Sequence, residues 1–173
     1  GLLHYDDGPG RELLWAAAQL HTCGKSINIS AYHKHSWYLI RHGELLGYSE
    51  AEHLMVAAIG RYHRRSLPKK RHESWQLIED RDQRRTVASM ALLLRLAAAL
   101  DRRPAPVIGG LRVQPVHGAG AEQPPTGVSI ALEPLAASPG EQELDLSLER
   151  WSLRSCAEVV QEACGLGLRV PEP

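Results

Sequence analysis

The chain has 173 residues, of which 43% are hydrophobic and 23% are charged, and its 20 Lys+Arg balance 20 Asp+Glu. This composition excludes a fibre, a disordered chain and a disulfide scaffold, and no apolar run approaches the roughly 18 residues that span a membrane. Because the three cysteines show no zinc-ligand spacing and no secretory leader is visible, we expect reduced thiols and a cytoplasmic protein with no membrane partner. The first residue is Gly and the last three are Pro-Glu-Pro, so we interpret the chain as a piece of a longer protein.

The charges are distributed unevenly along the chain. Residues 1–103 hold 16 Lys+Arg and 11 Asp+Glu, a net charge of +5, whereas residues 104–173 hold 4 and 9, a net charge of −5. All but one of the nine histidines also lie in the first part. Helical patterns give way to Pro, Gly and short alternating runs at the same point, which predicts a boundary near Pro104 between a helical domain (1–103) and a small α+β subdomain (104–173).

Two helices are predicted at the start of the first part. Pro9 suits a first helical turn, and apolar residues at helical spacing predict a helix from about residue 9 to residue 23. Gly24 is expected to close that helix as a left-handed C-terminal cap. A short second helix is predicted over 33–42, ended by Gly43.

Two further helices are predicted before the boundary. Ser49 and Glu52 have the spacing of a capping box, which predicts a third helix from Ser49 to about residue 64. A fourth, long helix is predicted over 75–100. Its second half is apolar nearly all round, which indicates a helix that is buried on most sides.

The second part predicts strands. Apolar and polar residues alternate over 111–116, 127–132 and 144–148, as in a small antiparallel sheet with one buried face. The pattern over 149–164 predicts one helix that Gly165 ends, and 166–170 is predicted as a last short strand. The predicted fold class is therefore α+β: a mainly helical bundle followed by a small antiparallel sheet with one C-terminal helix.

Histidines occur where the predicted helices begin or end, so they could converge on one pocket of the bundle. The candidate pocket-lining residues are His21, His33, His35 and His63. A purely structural role stays open for them. An imidazole near a helix C-terminus is favoured by the helix dipole and can donate to a last carbonyl, which suits His21 and His63, and His35 could join two helices.

A run of cations follows the third helix. Residues 61–103 hold 12 Lys+Arg and 5 Asp+Glu, a net charge of +7. Arginine forks onto phosphate oxygens, and a polyanion binds such a surface by releasing counterions. The alternative is a solvated face. Nucleic acid is a weaker candidate, because only two aromatic residues, Tyr62 and Trp75, interleave with the run. The candidate phosphate-binding residues are Arg61, Arg64, Arg65, Lys69, Lys70 and Arg71, joined by Lys25 and Lys34 beside the histidine motifs.

Several short motifs occur together in the first part of the chain. They are Leu20-His21 to Gly24, Ile27-Asn28, His33 to Ile40, and Arg61 to Arg64. In combination they resemble the C-terminal region of the exopolyphosphatase / guanosine pentaphosphate phosphohydrolase (Ppx/GppA) family. The apolar run Leu94–Arg102 fits the buried helix of that family, so the resemblance spans at least residues 11–103.

The resemblance implies a division of labour within a larger hydrolase. The catalytic half of the family is an N-terminal pair of actin-like domains that bind phosphate with Gly-rich loops, a carboxylate and Mg²⁺. No such loop occurs in this chain, since Gly109-Gly110 is an isolated pair. The resemblance thus implies an HD-like helical region that is inactive alone and needs no cofactor of its own. Its expected partners are polyphosphate or another polyanion, its own N-terminal catalytic domains, and a second copy in a homodimer.

Two other functions stay open, and the first is a metal-dependent HD-type phosphohydrolase. HD phosphohydrolases hold a metal with a His-Asp pair and a late Asp, but here the pair is His21-Thr22. Ala98 stands where the late Asp is expected, and Asp101 lies one turn away, so we expect no metal here. The last alternative is a dimerisation module without a ligand. Its exposed apolar patch would comprise Trp37, Leu39, Leu45, Leu46 and Trp151.

Overall fold

The structure is a computed structural model that describes residues 9–118, 124–136 and 144–172. Its contacts divide the chain into two compact units, the first ending at Arg95 and the second beginning at Leu96. The predicted α+β class is confirmed. That a domain boundary lies near Pro104 stays a prediction.

The first unit is helical, and no helix within the described ranges is long and apolar enough to cross a bilayer. The predicted helix over 75–100 is wrong at its start, because the chain leaves the helix after Gln76 and begins a new one at Arg81. The Asp80 carboxylate accepts hydrogen bonds from the amides of Asp82 (2.9 Å) and Gln83 (2.8 Å), as an N-cap does. The elements are α1 (Pro9–Leu20), a 3-10 helix (Cys23–Ser26), α2 (Tyr32–His42), α3 (Glu50–Tyr62), α4 (Glu73–Gln76) and α5 (Arg81–Leu100).

Helix α3 lies at the centre of this unit. It packs against both α1 and α2, and its residues Val56 to Ile59 are completely buried. The predicted capping box is confirmed, since the Ser49 hydroxyl accepts from the Glu52 amide while the Glu52 carboxylate accepts from the Ser49 amide. The core also contains Leu13, Ala16, Ala17, Ile40, Met55, Tyr62, Ile78, Val87, Met90, Ala91 and Leu94.

Gly24 joins the end of α1 to the first turns of α2. The predicted left-handed cap is wrong, because Gly24 lies inside the 3-10 helix and its φ is not positive. What requires a glycine is close approach: a Cβ at this position would lie 2.2 Å from the Tyr32 carbonyl oxygen and 2.3 Å from the Ser36 nitrogen. The Gly24 amide donates to the Ser36 hydroxyl (3.0 Å), which donates to the His21 carbonyl (2.7 Å).

We expect Gly24→Ala to lower the free energy of unfolding by at least about 2 kcal/mol, because the atoms that a methyl group would strike belong to backbone that cannot turn away. Gly167→Ala is the control, since a Cβ there has its nearest neighbour at 3.7 Å. Urea unfolding of both variants measures the effect. Equal stability of the two would contradict the close approach.

The second unit contains a mixed sheet and two short helices. Strands β1 (Ile108–Val116) and β2 (Gly127–Pro134) are antiparallel, but β3 (Gly167–Arg169) runs parallel to β2, so the sheet is not wholly antiparallel as predicted. The helices are α6 (Ser147–Arg154) and α7 (Ala157–Cys164).

Two predictions for this unit are wrong. Residues 144–148 form no strand; Asp145 accepts hydrogen bonds from the amide and hydroxyl of Ser147, where α6 begins. The single helix over 149–164 is broken between α6 and α7. There the Ser155 hydroxyl donates to the Ser152 carbonyl (2.6 Å), and the Cys156 amide bonds three residues back to Leu153.

A buried ion pair ties the segment after α5 to α6. Glu149 is completely buried, and its two carboxylate oxygens accept from Nε (2.8 Å) and Nη2 (3.1 Å) of Arg103. The same Nη2 also donates to the Asp145 carbonyl at 2.9 Å. Such a bidentate pair leaves an uncompensated charge when one partner is removed.

We expect Glu149→Gln to lower the free energy of unfolding by about 2 kcal/mol, because the half-buried Arg103 guanidinium would lose a counter-charge that lies in the interior. The exposed pair between Arg112 and Glu133 provides the matched control, since Glu133→Gln should cost less than about 1 kcal/mol. Thermal unfolding of the two variants compares them. Equal losses would show that burial adds nothing to the Glu149 pair.

Candidate functional site

Tyr32, the first residue of α2, lies at the centre of the predicted site. Its hydroxyl bonds Nε2 of His63 at 3.2 Å, just beyond the end of α3. The guanidinium carbon of Arg64 lies 4.9 Å from the centre of the Tyr32 ring, and Nζ of Lys25 lies 5.2 Å from it. These are cation–π distances. The sequence prediction missed Tyr32, although it stands directly before the histidine motif.

His21 and His63 are held in the same way. Nδ1 of His21 donates to the Ala18 carbonyl (2.7 Å), and Nδ1 of His63 donates to the Gly60 carbonyl (2.6 Å). Their rings meet edge to face with centroids 4.8 Å apart. Both contacts fit the structural role that the sequence left open, in which an imidazole bonds a carbonyl at a helix C-terminus.

His33 is buried with only 4% of its surface exposed, and its Nδ1 has no hydrogen-bond partner in the part of the chain that the structure describes. Burial, with four nearby cations as smaller causes, lowers the pKa of His33 to about 4. The imidazole is therefore neutral at pH 7. The four cations are Arg61, Arg64, Lys34 and Arg65.

His63 is neutral at pH 7 as well. Burial is the largest cause that lowers its pKa to about 4, and the bond to the Gly60 carbonyl acts in the opposite direction. His21, His33 and Arg95 are smaller causes of the same lowering. His33 and His63 are thus buried, uncharged imidazoles with cations in their neighbourhood.

The loop after α3 is anchored by Tyr62. The buried Tyr62 hydroxyl lies 2.8 Å from the Ser74 hydroxyl and 3.2 Å from Nδ1 of His72. The Lys69 amide also donates to that Nδ1, so the nitrogen is unprotonated and Tyr62 is the donor to it. Burial is the largest cause that lowers the pKa of His72, and four nearby cations lower it as well. These are Arg61, Arg71, Lys69 and Lys34.

Arg95 holds the chain where α3 ends. Its Nε donates to the His63 carbonyl (2.9 Å), and its Nη2 donates to the carbonyls of Arg65 (2.8 Å) and Tyr62 (3.2 Å). Arg65 adopts a left-handed backbone conformation with φ of 67°. The sequence prediction took Arg95 as part of the apolar helix, yet it is the one charged residue between Met90 and Leu100, which could have singled it out.

We call the eight predicted phosphate-binding residues the cationic cluster. Six side chains are exposed, and those of Arg61 and Arg64 are half-buried. Within residues 9–118, 124–136 and 144–172, none of the eight has a carboxylate at ion-pair distance. Seven of them have a histidine or tyrosine of the site as a charge or ring neighbour, and within the described ranges Lys70 does not. The members are Lys25, Lys34, Arg61, Arg64, Arg65, Lys69, Lys70 and Arg71.

The described residues do not fit a metal centre. They contain no group of three or more His, Cys, Asp or Glu side chains that could hold an ion. Nδ1 of both His21 and His63 is used by a carbonyl, and Nε2 of His63 bonds Tyr32. Asp101 is exposed on the second unit. His35 is half-buried, and no hydrogen bond or ring contact among the described residues joins it to the other histidines.

Residues 4–114 match domain III of the Ppx/GppA phosphatases, which is more than half of the chain. The chain therefore belongs to the Ppx/GppA phosphatase family, and the resemblance found in its motifs is confirmed. A relative from Pseudoalteromonas translucida (strain TAC 125) is named guanosine-5'-triphosphate,3'-diphosphate pyrophosphatase. It is 43% identical over 60 residues, which are 35% of this chain and 12% of the relative. The matched stretch is thus a small part of that longer protein.

The buried histidines make stability depend on pH. The pKa values of His33 and His63 are about 4 in the folded protein, against 6.5 ordinarily, so the unfolded chain binds more protons between these values. The contribution of these two histidines to the free energy of unfolding is therefore complete above pH 6.5 and is lost as pH falls towards 4. The loss is on the order of 2 kcal/mol per histidine after allowance for solvent screening.

We expect His33→Gln to flatten the fall of stability between pH 7 and pH 4, because Gln takes up no proton there. The exposed His42→Gln is the control and should retain the wild-type slope. Urea unfolding at intervals of pH measures both. A slope for His33→Gln as steep as that of the wild type would show that His33 is not held neutral.

Proposed function

We propose that this chain is the accessory region of an exopolyphosphatase-type hydrolase, and that its cationic cluster binds polyphosphate or another polyanion. The observation that carries the proposal is a cluster of eight cations without carboxylate partners among the described residues, four of which lie near the buried, neutral His33. Membership of the Ppx/GppA family supports it, because that family acts on phosphate compounds.

Electrostatics favours an anion with several charges. Cations that face one another without carboxylates repel, and a row of phosphates relieves this repulsion while releasing condensed counterions. The backbone that carries the cluster is fixed in advance by Tyr62, Arg95 and the Gly24 contact. Binding therefore costs little ordering of the chain.

The chemical step belongs, in this proposal, to catalytic domains outside the chain. The sequence contains no Gly-rich phosphate loop, and His21 and His63 are held by carbonyls in structural contacts. The whole protein would remove the terminal phosphate of polyphosphate or the 5′-phosphate of guanosine pentaphosphate, with Mg²⁺ bound in those domains. The name of the Pseudoalteromonas relative supports a nucleotide of this kind.

Pairing of two subunits in the cytoplasm completes the proposal. Of the apolar residues predicted for a dimer patch, Trp37 and Leu45 pack against the core, whereas Leu46 is 83% exposed and Trp151 is 64% exposed. Leu46 and Trp151 are therefore the residues with which a second copy could make contact. Sedimentation of the wild type and of Leu46→Ser and Trp151→Ser tests this part separately, because it needs no ligand.

We expect the chain to bind labelled long-chain polyphosphate with an affinity that falls steeply with salt. The double variant Arg64→Ala/Arg65→Ala should bind about tenfold more weakly, and its slope of log affinity against log salt should be smaller by about 1.4. Fluorescence anisotropy at several salt concentrations measures both quantities.

The control removes the same charge elsewhere. Arg81 and Arg85 are exposed at the start of α5 and lie outside the cationic cluster, and Arg85 is paired with Asp82. Arg81→Ala/Arg85→Ala should keep nearly the wild-type affinity. Absence of binding by the wild type at low salt would overturn the proposal. Equal losses of affinity in the two double variants would show that binding depends on net charge and not on the cationic cluster.

A further inference from the structure

The His33 imidazole makes no hydrogen bond within the described part of the chain. It is 4% exposed, Nδ1 is sealed from solvent without a partner, and Nε2 makes no hydrogen bond with any described residue. A buried polar nitrogen in this state costs about 1–3 kcal/mol. Because nearly all buried polar groups in proteins are satisfied, such an exception calls for a reason.

Among the residues that the structure describes, the charged groups near His33 include no carboxylate. Lys34 follows on the same helix, and Tyr32 precedes it. The 3-10 helix contributes Lys25 above the Tyr32 ring, and α1 contributes His21 against His63. The end of α3, the loop that follows it and α5 supply the remaining groups. These are Arg61, His63, Arg64, Arg65 and Arg95.

A bound polyanion reverses this balance. Its phosphates neutralise the surrounding cations and bring oxygen acceptors, and an opposite charge within about 4–6 Å favours the charged form of an imidazole. The N-terminus of α2 has no side-chain cap, so the helix dipole also favours a negative charge beside His33. A phosphate oxygen at Nε2, the ring nitrogen that is not sealed from solvent, then accepts a hydrogen bond that the free protein lacks.

We propose that binding of a polyanion to the cationic cluster is coupled to the uptake of one proton by the His33 imidazole. The proton comes from solvent and forms one N–H bond, and no other bond changes. This inference rests on the proposed function, since it concerns the same site. Its consequence is that affinity rises as pH falls below 7, by up to tenfold for each pH unit in the range where only the bound form is protonated.

Calorimetry in buffers with different ionisation enthalpies measures the protons taken up on binding. The probe is long-chain polyphosphate, whose interior phosphates stay ionised between pH 5 and pH 8. We expect the wild type to take up a larger number of protons at pH 6 than His33→Gln does, and the exposed His42→Gln to match the wild type. Binding by His33→Gln with undiminished proton uptake would overturn the coupling and leave the proposed function intact.

A second measurement on the wild type covers the case in which His33→Gln fails to fold. Nitrogen chemical shifts of ¹⁵N-labelled histidine report the protonation of each ring at pH 6 with and without polyphosphate. We expect the His33 ring to be neutral in the free chain and protonated in the complex. A His33 ring that stays neutral in a saturated complex overturns the inference, whereas no binding at all overturns the proposed function with it.

Discussion

The hydroxyl of Ser36 accepts from the Gly24 amide and donates to the His21 carbonyl, so one side chain of α2 holds the backbone on either side of the end of α1. This is possible only because position 24 has no Cβ, since the backbone of α2 occupies the place where one would be. The contact brings His21 and Lys25 to the start of α2. The site can form only when α1 and α2 meet in this way.

The residues that shape the site are largely not the ones that would bind a ligand. Tyr32 lies beneath Lys25 and Arg64, Tyr62 anchors the loop that carries Lys69, and Arg95 fixes the carbonyls at the end of α3. Two buried tyrosines and a half-buried arginine thus support the charged groups of the cluster. Because the supports are satisfied within the fold, the charges above them stay available to an anion.

The sequence predicted local features well where a local cause acts alone. The capping box at Ser49 and the end of α7 at Gly165, with φ of 71°, both form as expected from short-range chemistry. The alternation over 144–148 predicted a strand wrongly, because five residues cannot distinguish a strand from a helix start. The Asp145 side chain favours the helix start, since it accepts a hydrogen bond from the Ser147 amide. The direction of β3 depends on its partner strand, which no local pattern reveals.

The candidate site was predictable as a set of motifs but not as a geometry. The histidine and arginine motifs marked the right helix ends, whereas Tyr32 and Arg95 act through contacts with residues about thirty positions away in the chain. His33 was predicted to line a pocket, and its lack of a hydrogen bond could be seen only once its neighbours were placed. Long-range packing therefore supplies what the spacing of residues leaves open.

Chemical-shift mapping of the amides during titration with short-chain polyphosphate tests most directly whether this junction is the binding surface. Shifts concentrated in residues 24–36 and 61–72, with little change at the start of α5 or in the sheet, are the expected result. Shifts spread over all exposed cations, or centred on the second unit, would contradict a site built on the contact between Gly24 and Ser36.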